Sequence, residues 1–207
     1  TTVNSSPTDI SGQGNHGTLV GATYSAADKA FSFTGTNGSN IRLSSTTPFP
    51  LNTDTDLSFS VWVKADVATS SAWRGVFDFG NRGTSEHLGV YIAGSTSAAS
   101  NGPNQFNFTL WGNDLITGEA VEANRWYHLA GAYTAATKTR QFYVDGILKG
   151  TVTTTTGMFS SLDPANPPLT LGTNSTTGYS EGLAGDISNF KLYNVALEAS
   201  EVQKLYR

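Results

Sequence analysis

Arg125 to Gly146 reads RWYHLAGAYTAATKTRQFYVDG, and this stretch decides the fold. Two runs rich in aromatic and apolar residues, Trp126 to Tyr133 and Gln141 to Val144, flank a polar segment from Thr134 to Arg140. That pattern predicts a β-hairpin, and Asp145-Gly146 is a second turn signal leading into a further strand. Trp126, Tyr133, Phe142 and Val144 are expected to build core. A hairpin cannot bury its apolar face alone, so the chain should supply neighbouring strands and a second sheet.

The composition agrees. The 207 residues include 28 Thr, 22 Ser and 22 Gly, with 38% hydrophobic and only 14% charged residues. Thr suits strands, Ser and Gly suit turns, and helix formers are scarce outside the last ten residues. Residues 1–207 fit one all-β domain, since sandwiches of this length commonly form a single core. A net charge of -4 and a pI near 5.2 leave no basic patch for nucleic acid or an anionic membrane. With no cysteine, disulfides, thiolate metal sites and a Cys nucleophile are excluded. No apolar run approaches the ~18 residues that membrane insertion requires.

Working outward from the hairpin, Ala30 to Phe33 and Asn40 to Leu43 read as short strands around a Gly-rich turn. Leu57 to Lys64 (LSFSVWVK) alternates cleanly, with Leu57, Phe59, Val61 and Val63 on one face. Trp62 falls on the other face, where a covering loop would explain it. Gly75 to Phe79, His87 to Ala93 and Gln105 to Trp111 follow. Beyond the hairpin come Leu148 to Val152, a short LTLG strand, and Gly182 to Tyr193 with a bulge between Ile187 and Phe190. Ala196 to Tyr206 is predicted to form one short helix or turn.

The middle strands carry the candidate site. Leu88, Val90 and Ile92, then Phe106, Phe108 and Leu110, should face the core. The opposite faces hold Tyr91, Asn107, Thr109 and Trp111, with Asp78 in the preceding strand. A sugar ring stacks its C–H face on an aromatic while Asn and Asp bond its hydroxyls. Trp111 and Tyr91 are thus candidate platforms, Asp78 and Asn107 hydroxyl partners, and Trp73 a loop contributor. Cross-strand packing is the plain alternative for each outward ring. Asp9 to Gly21 (DISGQGNHGTLVG) reads either as an incomplete calcium loop lacking a carboxylate or as an ordinary N-terminal loop.

The ordered set NHGTL, AFSFTG, LSFSVWVK, RWYHLAGAY, FYVDG, LTLG, GLAGDISNFKLYNVAL and SEVQKLY resembles the laminin-G-like jelly rolls. These are concanavalin-A-like lectin/glucanase sandwiches, and the match covers nearly the whole chain. The resemblance implies an all-β, two-sheet antiparallel jelly-roll sandwich with one short C-terminal helix or turn. It also implies a structural calcium ion held by Asp9, Asn15 and neighbouring carbonyls, joined by Asp186. It does not fix a ligand, because the superfamily hosts lectins, glycosidases, adhesion modules and spacers.

Catalysis is not expected. A retaining glycosidase needs two carboxylates about 5 Å apart, and no Glu-X-Asp-X-X-Glu run exists. No Gly-X-Ser-X-Gly elbow accompanies His16, His87 and His128, and His128 reads as a strand residue bonded to a neighbour. The expected function is a non-catalytic, lectin-like carbohydrate-binding module of a secreted or cell-surface bacterial protein. It would act as a monomer on an oligosaccharide, polysaccharide or surface glycan. The alternative is a structural, adhesion or protein-binding module.

Overall fold

The computed structural model describes residues 6–43, 54–80, 87–98, 102–110, 113–155, 169–173 and 181–207. Among them the chain forms β1 (Gly17–Val20), β2 (Thr23–Ser25), β3 (Ala30–Thr34), β4 (Asn40–Leu43) and β5 (Leu57–Ala65). Next come β6 (Arg74–Gly80), β7 (His87–Ile92), β8 (Gln105–Thr109) and β9 (Leu115–Ala120). β10 (Trp126–Thr134), β11 (Thr139–Val144), β12 (Ile147–Thr153), β13 (Thr170–Leu171), β14 (Ala184–Tyr193) and α1 (Ala199–Tyr206) complete the order. The strands make two antiparallel seven-stranded sheets, in the orders β1-β4-β13-β6-β7-β8-β9 and β12-β11-β10-β5-β14-β3-β2. This is the expected sandwich.

The two inner faces meet as alternation demands. Phe59, in the first half of β5, packs its ring 4.9 Å from Phe77 and 5.1 Å from Phe108, with Phe142 at 6.2 Å. Gly131, opposite Phe59 in β10, makes room for that ring: a Cβ there would lie 2.2 Å from Phe59 Cε1. Leu88, Val90, Ile92, Phe106 and Phe108 are all buried in this core, as predicted.

The hairpin is present with a shorter connection than expected. β10 runs to Thr134 and β11 starts at Thr139, so Arg140 belongs to a strand rather than to the turn. Its parity with Phe142 and Val144 points it inward, where it is fully buried. It donates to the carbonyls of Phe108 (3.2 Å) and Asn113 (3.0 Å), tying one sheet to the other. Burial lowers its pKa to about 10, so it stays a cation at neutral pH.

Parity also corrects one core assignment. Tyr127, Leu129 and Tyr133 face inward, so Trp126 lies on the outer face and is half-buried. At the next turn Asp145 and Gly146 have φ of 51° and 75°, the positive pair that a type I′ connection requires. Asp145 accepts from the His128 amide (2.9 Å) and from Arg125 Nη2 (2.8 Å). The separated RWYH and VDG motifs are therefore one local lock.

β14 carries the predicted bulge, with Asn189 at φ 50° and a register shift between Ser188 and Lys191. The C-terminal segment is helical from Ala199, and Glu201 accepts from the Glu198 amide at its start. α1 buries Val202, and the segment before it Leu197, against Ala130 and Tyr143 on the outer face of the second sheet. Trp62 is covered by this helix, not by a loop: Tyr206 stacks on it at 5.8 Å and 20°.

Three strands had no counterpart in the sequence reading. β1 hides at the end of the Gly-rich loop, β2 has three residues, and β9 (LITGEA) is an edge strand interrupted by Gly118 at φ 73°. Short edge strands bury too little to impose a pattern.

Candidate functional site

The outer face of the first sheet carries a polar row running across its strands. Register places Thr18, Arg42, Thr170, Asp78, Gly89 and Thr109 side by side on successive neighbours. A parallel row holds Gly75, Tyr91, Asn107 and Ile116. Asp78, Tyr91 and Asn107 are thus brought onto one face, as predicted. Trp111 lies outside the described residues.

Asp78 is the hub of this face. Tyr91 donates its hydroxyl to Asp78 Oδ2, and His87 Nε2 lies 2.5 Å from the same oxygen. The spacing His87-X-Gly89-X-Tyr91 places all three on one side of β7, and Gly89 sits opposite Asp78. A Cβ on Gly89 would come within 2.5 Å of the Tyr91 ring, so only glycine leaves the three side chains room to converge. His87 was not singled out from the sequence. Its i, i+2, i+4 relation to Gly89 and Tyr91 was the available signal.

Exposure separates the predicted contacts. Asp78 and Asn107 are 0% exposed and Tyr91 is 3% exposed, so Tyr91 presents no open stacking face. Its ring is held between His87 (centroids 6.2 Å, 28°) and Trp73 (6.2 Å, 76°). Asn107 donates to the Gln105 carbonyl at 3.0 Å, while its buried Oδ1 accepts no hydrogen bond. Trp73 is half-buried and forms the accessible aromatic edge of the cluster. Its loop is pinned from below by buried Arg74, which donates to the carbonyls of Val67 (2.5 Å) and Ala68 (3.2 Å). Ser95 and Thr96 bond the carbonyls of Ser70 and Ser71, clamping the same loop from the other side.

The two carboxylates expected to hold calcium have protein partners. Asp9 accepts from the amides of Ser11 and Asn15, each at 2.8 Å. Asp186 accepts from Ser32 at 2.5 Å through one oxygen and pairs with Lys64 at 2.7 Å through the other. The hydrogen bond to Asp186 raises the Lys64 pKa, so a protein cation already neutralises that carboxylate. Asn15 Oδ1 is buried without a partner, the one donor in the set still free for an ion. Among the described residues no three His, Cys, Asp or Glu side chains form a metal-binding group. An ion at Asp186 would have to displace or share the Lys64 contact.

His128 is placed as the sequence suggested. Its Nε2 lies 2.9 Å from Ser60 Oγ, and burial pushes its pKa down to about 4 although Asp145 works in the opposite direction. A folded-state value below the unfolded one means the unfolded chain takes up the proton first. Stability is therefore full above about pH 6.5 and falls as pH drops from there towards 4, by on the order of 2 kcal/mol. Chemical denaturation across this range should show a shallower decline for His128→Gln than for the wild type; parallel curves would contradict the assignment.

Residues 10–203 match the laminin G family model described as the concanavalin A-like lectin/glucanases superfamily. The chain belongs to that family. Among solved structures it is similar to domain 4 of AbnA, a GH43 extracellular arabinanase from Geobacillus stearothermophilus, determined in complex with arabinotriose. That likeness has a TM-score of 0.70 at 22% identity and covers 97% of this chain and 93% of that one. The botulinum neurotoxin serotype G binding domain matches with a TM-score of 0.71 at 15% identity, over 96% of this chain and 47% of that one. The binding domain of Paraclostridial Mosquitocidal Protein 1 matches with a TM-score of 0.71 at 13% identity, over 96% and 48%. The chain spans about half the length of the two toxin domains. At these identities the likenesses show the fold. No curated protein sequence matches the chain. No described helix is long and apolar enough to cross a membrane.

Proposed function

We propose that the chain is a non-catalytic carbohydrate-binding module of an extracellular protein. The observation that carries this reading is Trp73, a half-exposed indole on a loop fixed by Arg74 and set edge-on against the Asp78–His87–Tyr91 cluster. A rigid ring of this kind binds a sugar C–H face without first losing rotamer freedom. The buried triad then acts as a base that holds Tyr91, and through it Trp73, in place. The similar arabinanase domain, solved with arabinotriose, supports an oligosaccharide as the ligand class, and its extracellular parent supports the location. Asp78 is the single carboxylate in β6, β7 and β8, so the pair that glycoside hydrolysis requires is not on these strands.

A glycan array tests the reading. The wild-type chain should bind a defined set of oligosaccharides, and Trp73→Ala should weaken that binding roughly ten- to a hundredfold, as expected for loss of about 1.4–2.8 kcal/mol of stacking. An array blank at high protein concentration would overturn the proposal and favour a protein-binding module. Calcium is a separate proposal, in which the ion would have to displace Lys64 from Asp186. On the arrangement described, melting curves with calcium and with chelator coincide. A midpoint raised by calcium would show that the exchange takes place.

A further inference from the structure

Trp62 and Trp126, the two tryptophans of the second sheet, lie together on its outer face. β10 and β5 place Trp126 opposite Lys64 and His128 opposite Trp62, and β14 continues these rows with Asp186 and Ser188. α1 occupies the neighbouring part of the face, over Ala130 and Tyr143, and ends at Tyr206 on the Trp62 ring. Beyond the helix end, Trp62 and Trp126 remain half-buried on adjacent strands. Lys64 Nζ lies 5.3 Å from the centre of the Trp126 ring and 2.7 Å from Asp186 Oδ2. Ser32 donates to the other oxygen of Asp186. The Lys64 and Asp186 side chains keep 21% and 11% of their surface accessible.

This is an unusual use of tryptophan if it is only structural. Trp126 was expected in the core, yet it stands outside with a partly buried ion pair alongside. The set instead has the parts a sugar ring selects: a flat indole, Trp126, for the C–H face, an ammonium with spare donors, and a carboxylate with spare acceptor positions. The charges of Lys64 and Asp186 cancel, and Asp28 and Asp66 also act on the ammonium, so the surface disfavours an anionic sugar. We propose that this ledge is a binding subsite for a neutral oligosaccharide, with Trp126 as the platform, the uncovered edge of Trp62 beside it, and Lys64 and Asp186 gripping adjacent hydroxyls. The inference rests on the carbohydrate-binding reading above and places a second site on the sheet opposite Trp73.

The indole N–H signals of the four tryptophans in the 15N-labelled chain separate the two sites. Titration with neutral arabino-, xylo-, gluco- and galacto-oligosaccharides should move the Trp126 and Trp62 signals saturably. Lys64→Gln should weaken that response at least tenfold while leaving the Trp73 response unchanged. If Trp73 moves and Trp126 and Trp62 do not, the ledge is refuted and the general reading stands. If the ledge signals move and Trp73 does not, the ledge stands and the Trp73 site is refuted. If no oligosaccharide moves any indole, both fall. Trp126→Ala, checked for fold by circular dichroism, assigns its signal, and Trp126→Phe serves if the alanine variant is unfolded.

Discussion

Phe59→Ala is expected to cost about 3–5 kcal/mol of stability, the range for removing a fully buried phenylalanine from a packed core. Phe59 is 0% exposed and its ring meets Phe77 and Phe108 of the opposite sheet as well as Phe142 of its own. Its removal therefore loosens the contact between the layers and leaves a cavity that no single neighbour can fill. The same geometry predicts a coupling. Gly131→Ala alone forces a Cβ to 2.2 Å from Phe59 Cε1 and to 3.0 Å from Phe108 Cε1, an overpacking expected to cost about 1–3 kcal/mol. In the Phe59→Ala background that clash with Phe59 is gone and the added methyl enters the cavity. A double-mutant cycle by denaturant titration should give a favourable coupling of about 1 kcal/mol or more. Strict additivity would mean that the two positions do not share space.

Asp145→Ala is the second large effect, at about 2–3 kcal/mol. The change removes the acceptor of the His128 amide and the partner of Arg125, and it places alanine at φ 51°, a conformation Asp and Asn tolerate better. Asp145→Asn keeps the acceptor and the turn preference and should cost under about 1 kcal/mol. If both variants lose the same stability, the charge pair with Arg125 carries the lock and the hydrogen bond to His128 does not. Chemical denaturation of the two proteins decides between them.

The fold was legible because period-2 patterns such as Leu57 to Lys64 record which face each residue takes, and Asp145-Gly146 specifies its own turn. The same rule, applied strictly, already placed Trp126 outside: it has the parity of His128, not of Tyr127 and Leu129. Aromatic character alone favours the core for Trp126, but its parity decides, and the structure follows parity. Edge strands such as Leu115–Ala120 were not legible, since one packed face and a Gly at positive φ leave no clean alternation. The candidate site was legible in part. Alternation brought Asp78, Tyr91 and Asn107 to one face, but burial is a property of what lies over that face, and strand pattern does not contain it. The environment of Asp186 was equally out of reach. Its partners Ser32 and Lys64 are set by the pairing of β14 with β3 and β5, across more than a hundred residues of chain.

The closed state of Asp78 and Tyr91 changes how the first sheet is understood. These side chains were expected to touch a ligand; they are buried, and in the proposed site they support the accessible Trp73. Support and contact make different demands. A contact residue loses affinity when removed and leaves stability alone, whereas the Asp78–His87–Tyr91 cluster should affect both, because its members are buried and share one carboxylate oxygen.

Affinity electrophoresis through gels containing soluble arabinan, xylan, β-glucan or galactan, with the same polysaccharides assayed for new reducing ends, tests non-catalytic glycan binding most directly. The expected result is retarded migration in at least one gel, reversed by its free oligosaccharide, with no rise in reducing ends. Unretarded migration in every gel would contradict glycan binding, and a steady release of reducing ends would contradict a non-catalytic role.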